Sequence, residues 1–169
     1  MYKKSLNIKT EALIKKIESA RFVKKFYLAG GTALALQIGH RQSIDLDFFI
    51  NNNFELEELI NELSTLGKYR LNYKNHITLD GLLDEVKISF FKYDYPQLYP
   101  FIYFNNIRLA DIRDIAPMKI AAIASRGSKK DFIDLYFLME IFNLSEILSS
   151  IVSAVYIILC NDFVFPPAL

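Results

Sequence analysis

Apolar residues at Leu13, Ile17 and Ala20, with lysines between them, give residues 10 to 25 the one-sided pattern of a helix, and Thr10 can cap its start. Phe26 to Ala29 reads as a short apolar strand, Gly30-Gly31-Thr32 as a turn, and Ala33 to Ile38 as a helix ended by Gly39. From Ile44 the period becomes two: Ile44, Leu46, Phe48 and Ile50 alternate with Asp45, Asp47 and Phe49, so a strand projects both aspartates to one side. Residues 54 to 67 return to helical spacing and stop at Gly67. Tyr69 to Leu79 and Val86 to Tyr93 read as strands joined by a turn that starts at Asp80-Gly81, and Ile107 to Ala110 as a shorter strand after a Tyr-rich loop. Beyond Asp114 the pattern is helical, with Lys119, Ala122, Ile123 and Arg126 on one face. Ser128 and Asp131 form a capping pair for a helix to about Asn143, and a last helix fills 145 to 160. No repeat or linker interrupts this order, which predicts one α+β domain. Residues 1 to 112 hold a small mixed or antiparallel sheet flanked by helices, and 113 to 160 form a helical C-terminal part.

Composition agrees with a packed fold: 169 residues, 52% hydrophobic and 14% aromatic, suffice for a core. The most apolar stretch, Ile147 to Cys160, falls short of the roughly 18 residues of a membrane span, which predicts a buried helix with Cys160 in the core and no membrane partner. A single cysteine and the absence of a leader pattern predict a reducing, cytoplasmic location. Net charge is +1, but residues 1 to 25 carry eight Lys or Arg against two Glu. That segment can meet phosphates or be a solvated amphipathic helix.

The chemistry concentrates in residues 28 to 49. Two like charges side by side oppose each other's ionisation unless they are solvated, share a proton or bind a cation. Mg²⁺ prefers carboxylate oxygens and often completes its shell with substrate phosphates, so Asp45 and Asp47 predict half of a metal–nucleotide site. Gly30 and Gly31 supply backbone without Cβ atoms for close approach to a polyphosphate, and the following helix end adds a positive dipole. Thr32 can cap that helix or donate to a phosphate.

Together, "GGTALALQIGHRQSIDLDFF" and "DIAPMKIAAIASRGSKKDFIDLYFL" resemble the AbiEii/AbiGii-type toxin family, with the likeness running from about residue 10 to 142. The resemblance implies a polymerase-beta-like minimal nucleotidyltransferase fold and a place as the toxin of a type IV toxin–antitoxin system. It implies a glycine motif at Gly30, Gly31 and Thr32, metal-binding residues at Asp45 and Asp47, and functional residues at Lys119 and Asp134, with Asp131 at the preceding acidic position. Mg²⁺ or Mn²⁺ would be the cofactor, an NTP the substrate, RNA (a tRNA 3′ end) the acceptor, and an antitoxin the protein partner.

From the residues alone, Lys119 and Arg126 can neutralise phosphate oxygens or lay their stems over apolar surface. Asp131 can be an ordinary helix-start carboxylate, whereas Asp134 faces inward and needs a partner, for which Lys119 is the candidate. Lys129 and Lys130 offer backbone contacts to a nucleic acid. His40 and His76 read as structural or solvent-facing, with no zinc spacing. Many nucleotidyltransferases carry a third acidic residue on a following strand, but "EVKISFFKY" offers Lys87 and Ser89 instead. Nucleotidylation of a protein or small molecule, and a silent nucleotide-binding domain, are the competing expectations.

Overall fold

Strand β1 (Tyr27–Ala29) and strand β2 (Leu46–Ile50) pair antiparallel at the middle of a mixed sheet in the computed structural model, which describes residues 1 to 162 and their side chains to residue 158. On one side β5 (Val86–Lys92) runs parallel to β2, and β4 (Thr78–Leu83) and β3 (Tyr69–Asn75) continue antiparallel. On the other, β7 (Ile107–Leu109) lies parallel to β1, with β6 (Ile102–Phe104) beside it. The seven-strand order is β3-β4-β5-β2-β1-β7-β6. Helices α1 (Ile8–Ile17), α2 (Gly30–Ile38), α3 (Leu56–Leu66), α4 (Ile112–Ser125), α5 (Lys129–Met139) and α6 (Leu144–Asp162) surround it.

Alternation in β2 sorts the sheet into two faces. Leu46, Phe48 and Ile50 join Leu79, Ile88 and Phe90 in the core, where the Phe22 ring meets Phe48 and Phe90 edge-on at 5.4 and 5.2 Å. Each such buried ring contributes about 1.5–3 kcal/mol relative to exposure. The opposite face presents Asp47, Phe49, Ser89 and Phe91, and it carries the site.

Three local readings change. The first helix ends at Ile17 instead of Lys25, because the Glu62 carboxylate of α3 accepts the N–H groups of Arg21 (2.5 Å) and Phe22 (3.2 Å) and starts a separate 3-10 turn there. Its cap is Asn7, which accepts from the Thr10 N–H, while the Thr10 hydroxyl ties the helix to the Ile44 carbonyl. Asp80-Gly81 is the interior of β4, and the turn into β5 is made by Asp84 and Glu85 at φ 49° and 69°. Lys16 and the Lys68 N–H hold the Asp84 carboxylate in that turn. Gly81 has its own reason: a Cβ there would stand 2.6 Å from the Arg70 carbonyl and the Tyr69 hydroxyl.

The basic N-terminal segment is largely ion-paired at the surface: Lys9, Lys15 and Lys16 of α1 pair with Glu85, Glu11 and Asp84, and Lys25, beyond the helix, lies 3.9 Å from Glu58. The last helix is buried along one stripe only: Ile147 and Ala154 are covered, while Val152 and Tyr156 lie on its exposed side. Cys160 lies outside the described side chains. Among the described residues no single helix is long and apolar enough to cross a membrane.

Candidate active site

Strand register brings the acidic chemistry to one level of the sheet. Ala29 of β1 pairs with Asp47 of β2, and Asp47 with Ser89 of β5. Asp47 floors a cleft of about 350 Å³ whose walls include Gly30, Phe49, Phe91, Lys119 and Arg126. Burial pushes its carboxyl above the ordinary range, and the charge of Asp45 adds to the rise, against the lowering influence of Lys119, Lys87 and Arg126. Among the described residues no side-chain hydrogen bond or ion pair reaches this carboxylate. Asp45 stands just before β2, with Lys130 Nζ 3.5 Å from its Oδ2. Lys129 is exposed at the start of α5.

Facing the aspartates is a second constellation built by α4, α5 and the loop after α2, in which every carboxylate is paired while the buried His40 Nδ1 has no partner among the described residues. Lys119 is buried on α4 and places Nζ 3.1 Å from Asp131 Oδ1 and 2.6 Å from Asp134 Oδ2. Asp131 is 1% exposed; burial pushes its carboxyl up, but hydrogen bonds from Arg126, Ser128 and Lys119 outweigh that and hold it well below the usual range. Ser128 thus serves Asp131 through its hydroxyl at 2.7 Å, and Asp131 is more than a helix-start carboxylate. Asp134 is 0% exposed, and burial is likewise overcome by His40, Arg41 and Lys119. Arg41 grips it with Nε at 2.6 Å and Nη2 at 2.9 Å, and His40 Nε2 lies 2.6 Å from Oδ1.

Sequence reasoning missed Arg41 and allowed His40 a solvent-facing place. The His40 side chain is 1% exposed. The signal was available in form: a His-Arg pair sits in a short loop between a buried helix and the aspartate strand. Its partner, however, lies more than ninety positions away.

The glycines hold room for side chains as well as for a ligand. Gly30 starts α2 at φ 66°, and a Cβ there would lie 2.9 Å from Asp47 Oδ2. A Cβ on Gly31 would overlap Arg41 Nη2. Thr32, expected to cap α2 or donate to phosphate, is not the cap: α2 starts two residues earlier, and the Thr32 hydroxyl is buried, donates to the Asp45 carbonyl and lies 2.8 Å from Ser43 Oγ. Its work is to fix the loop that carries Arg41 and Asp45. Gly31→Ala is therefore expected to drive Arg41 off Asp134 and to cost about 1–3 kcal/mol in urea unfolding, since overpacking a closed site forces neighbours to shift. Unchanged stability would show that Arg41 is free to move.

Two carboxylates without a third make a poor closed cage, and among the described residues no group of three or more His, Cys, Asp and Glu is placed to hold a metal. The donor set fits a hard cation that takes one or two carboxylates and leaves its remaining positions to phosphate and water. Asp47, unpartnered beside Asp45 and raised in pKa, is the kind of group such an ion would relieve. The site can thus hold a charged phosphate chain between an acidic floor and the cations of α4. An adjoining, more apolar cavity of about 270 Å³ shares Tyr93, Met118 and Ala121 with the cleft.

Comparison with known proteins bears on the family and the fold. The family described as nucleotidyl transferase AbiEii toxin, type IV TA system, matches residues 12–71. The uncharacterized protein aq_aa25 of Aquifex aeolicus is 45% identical over 131 residues, covering 75% of this chain and 64% of that protein, so the chain spans somewhat under two thirds of its relative's length. Among solved structures, JHP933 from Helicobacter pylori superposes with TM-score 0.55 at 21% identity over 86% of this chain and 69% of its own. The antibiotic-resistance factor ANT(2'')-Ia does so with TM-score 0.62 at 16% identity over 89% and 95%. At such identities these two structures speak for the fold alone.

Proposed function

We propose that the chain, as a member of the AbiEii nucleotidyltransferase family that its residues 12–71 match, transfers a nucleoside monophosphate from an NTP to an RNA hydroxyl, with a tRNA 3′ end as acceptor, as the toxin of a type IV toxin–antitoxin system. The observation that carries this reading is the juxtaposition in one cleft of the unpartnered Asp47, the start of α2 at Gly30, and the cations Lys119 and Arg126. Asp45 and Asp47 would hold Mg²⁺ or Mn²⁺, which would supply charge neutralisation at the phosphates. The N–H groups at the start of α2 orient the phosphate chain. Lys119, fixed by Asp131 and Asp134, meets the negative charge that develops in the transition state without having to reorganise. Arg126, whose side chain is 62% exposed and anchored through Asp131, lines the same cleft and offers a second cation to the phosphates. The apolar cavity beside the cleft seats the base. The cytoplasm is where these substrates meet, and an antitoxin is the expected protein partner.

Incubation with each α-labelled NTP, Mg²⁺ and total RNA tests the reading. Label is expected in RNA, and in one size class if tRNA is the acceptor. Label in the protein or in a small hydroxylated molecule would replace the acceptor, and absence of label from every acceptor would leave a silent binding domain.

A further inference from the structure

The register that pairs Asp47 with Ser89 continues one strand further, to Asp80 of β4. Ser89 Oγ, on a residue 0% exposed, donates to Asp80 Oδ1 at 2.7 Å, and Lys87 Nζ lies 3.4 Å from the same oxygen. Among the described residues Asp80 Oδ2 meets only the Asn72 amide, at 3.5 Å, and the side chain is 21% exposed. Asp80 therefore lies level with Asp47 on the cleft-bearing face, about 9.5 Å away as two strand spacings, with one oxygen tied down and the other open. We propose that Asp80 is the general base that takes the proton from the attacking acceptor hydroxyl, and that Ser89 is the positioning residue that aims its carboxylate.

This inference rests on the nucleotidyl-transfer reading and names the residue that reading lacks. An attacking hydroxyl needs an acceptor for its proton within hydrogen-bond reach. Asp131 and Asp134 are unsuited, because each is locked by three donors and held far below the usual carboxylate range. Asp45 and Asp47 face the phosphates. Asp80 has an accessible oxygen and lies on the β4 side of Asp47, away from Lys119 across the cleft. In the step, the acceptor O–H bond breaks as its oxygen bonds to the α-phosphorus, the proton passes to Asp80 Oδ2, and the bond to pyrophosphate breaks with its electron pair leaving on the pyrophosphate. Among the described residues, the charged and titratable groups around Asp80 include Lys87 of β5, Tyr73, its register partner on β3, and Tyr69 of β3, whose hydroxyl pKa is raised to about 12 by burial and by Asp80.

The test compares wild type, Asp80→Asn and the double variant Asp80→Asn/Ser89→Asp for kcat, for equilibrium affinity toward a fluorescent NTP, and for melting temperature. Asp80→Asn should lower kcat by about 10²-fold or more while the nucleotide affinity stays within about twofold. Ser89→Asp, which restores a carboxylate one strand nearer, should recover at least about tenfold of that loss. A kcat within about threefold of wild type in Asp80→Asn overturns the assignment, as does a loss that tracks nucleotide affinity or melting temperature and is not rescued. Wild type run beside them separates the two claims. If it labels no acceptor, nucleotidyl transfer and Asp80's role fall together; if it labels RNA and Asp80→Asn does too, only Asp80 falls.

Discussion

Asp47→Asn is expected to raise the melting temperature of the metal-free protein and, in the same molecule, to abolish nucleotidyl transfer. The two effects have one cause. Burial and the neighbouring Asp45 push the Asp47 carboxyl up, so folding has to hold an ionised group in a place that disfavours its charge. A folded-state pKa above the unfolded value, which is about 3.9, means that the protonated form favours the fold. Below the unfolded value the native state carries no penalty from this group, and the penalty grows as pH rises through the folded value. Asparagine removes it, so the variant's advantage should widen with pH through that window and then level off. The cost appears in function: losing the carboxylate removes the several kcal/mol of charge stabilisation expected of a metal site, a rate loss of about 10³-fold or more. Mg²⁺ or Mn²⁺ should raise the melting temperature of the wild type and leave the variant unmoved. A variant that melts below wild type at neutral pH, or that still transfers, would remove Asp47 from this role.

How much of this could be read from the chain divides along a physical line. The alternation through Leu46, Phe48 and Ile50 announced β2 and the face that carries Asp47, because period two follows from strand geometry and needs no tertiary information, whereas Asp45 stands one residue before the strand. The pairing of Lys119 with Asp134 was legible because an inward-facing carboxylate on an apolar helix must find a cation. The polymerase-beta-like core followed from the two motif blocks. What stayed hidden depends on contacts between distant segments. Arg41 and His40 sit in a loop with no period, and only the docking of α5 buries them. Asp80-Gly81 carries the dipeptide of a hairpin turn, yet Gly81 is needed for the approach of Tyr69 and Arg70, and the true turn uses Asp84 and Glu85 in left-handed conformation. The misread turn is also what concealed Asp80, since a residue in a turn has no strand register to place it beside Ser89 and Asp47.

The constellation opposite Asp47 invites the converse experiment, in which stability and rate separate between two partners in direct contact. Asp134→Ala would leave His40, Arg41 and Lys119 gathered around an empty position that is 0% exposed, and breaking a buried pair by removing one partner costs about 3–5 kcal/mol. Lys119→Met removes one cation from a set in which Asp131 keeps Arg126 and Ser128 and Asp134 keeps His40 and Arg41, and methionine fills much of the space of the lysine stem. It should therefore unfold at nearly the wild-type urea concentration while losing about 10²-fold or more in kcat, the scale of one preorganised charge at a transition state. The pH dependence distinguishes the pair further. Asp134 is held below its unfolded value of about 3.9, so the stability it contributes is complete above that value and is lost as pH falls toward the depressed folded one. The gap in stability between wild type and Asp134→Ala should be full at neutral pH and shrink on acidification, whereas Lys119→Met should retain most of the wild-type acid sensitivity. Equal urea midpoints for Asp134→Ala and wild type would show that His40, Arg41 and Lys119 find other partners. A Lys119→Met protein as unstable as Asp134→Ala would make Lys119 a structural element of the α4–α5 packing and leave Arg126 as the cation that faces the phosphates.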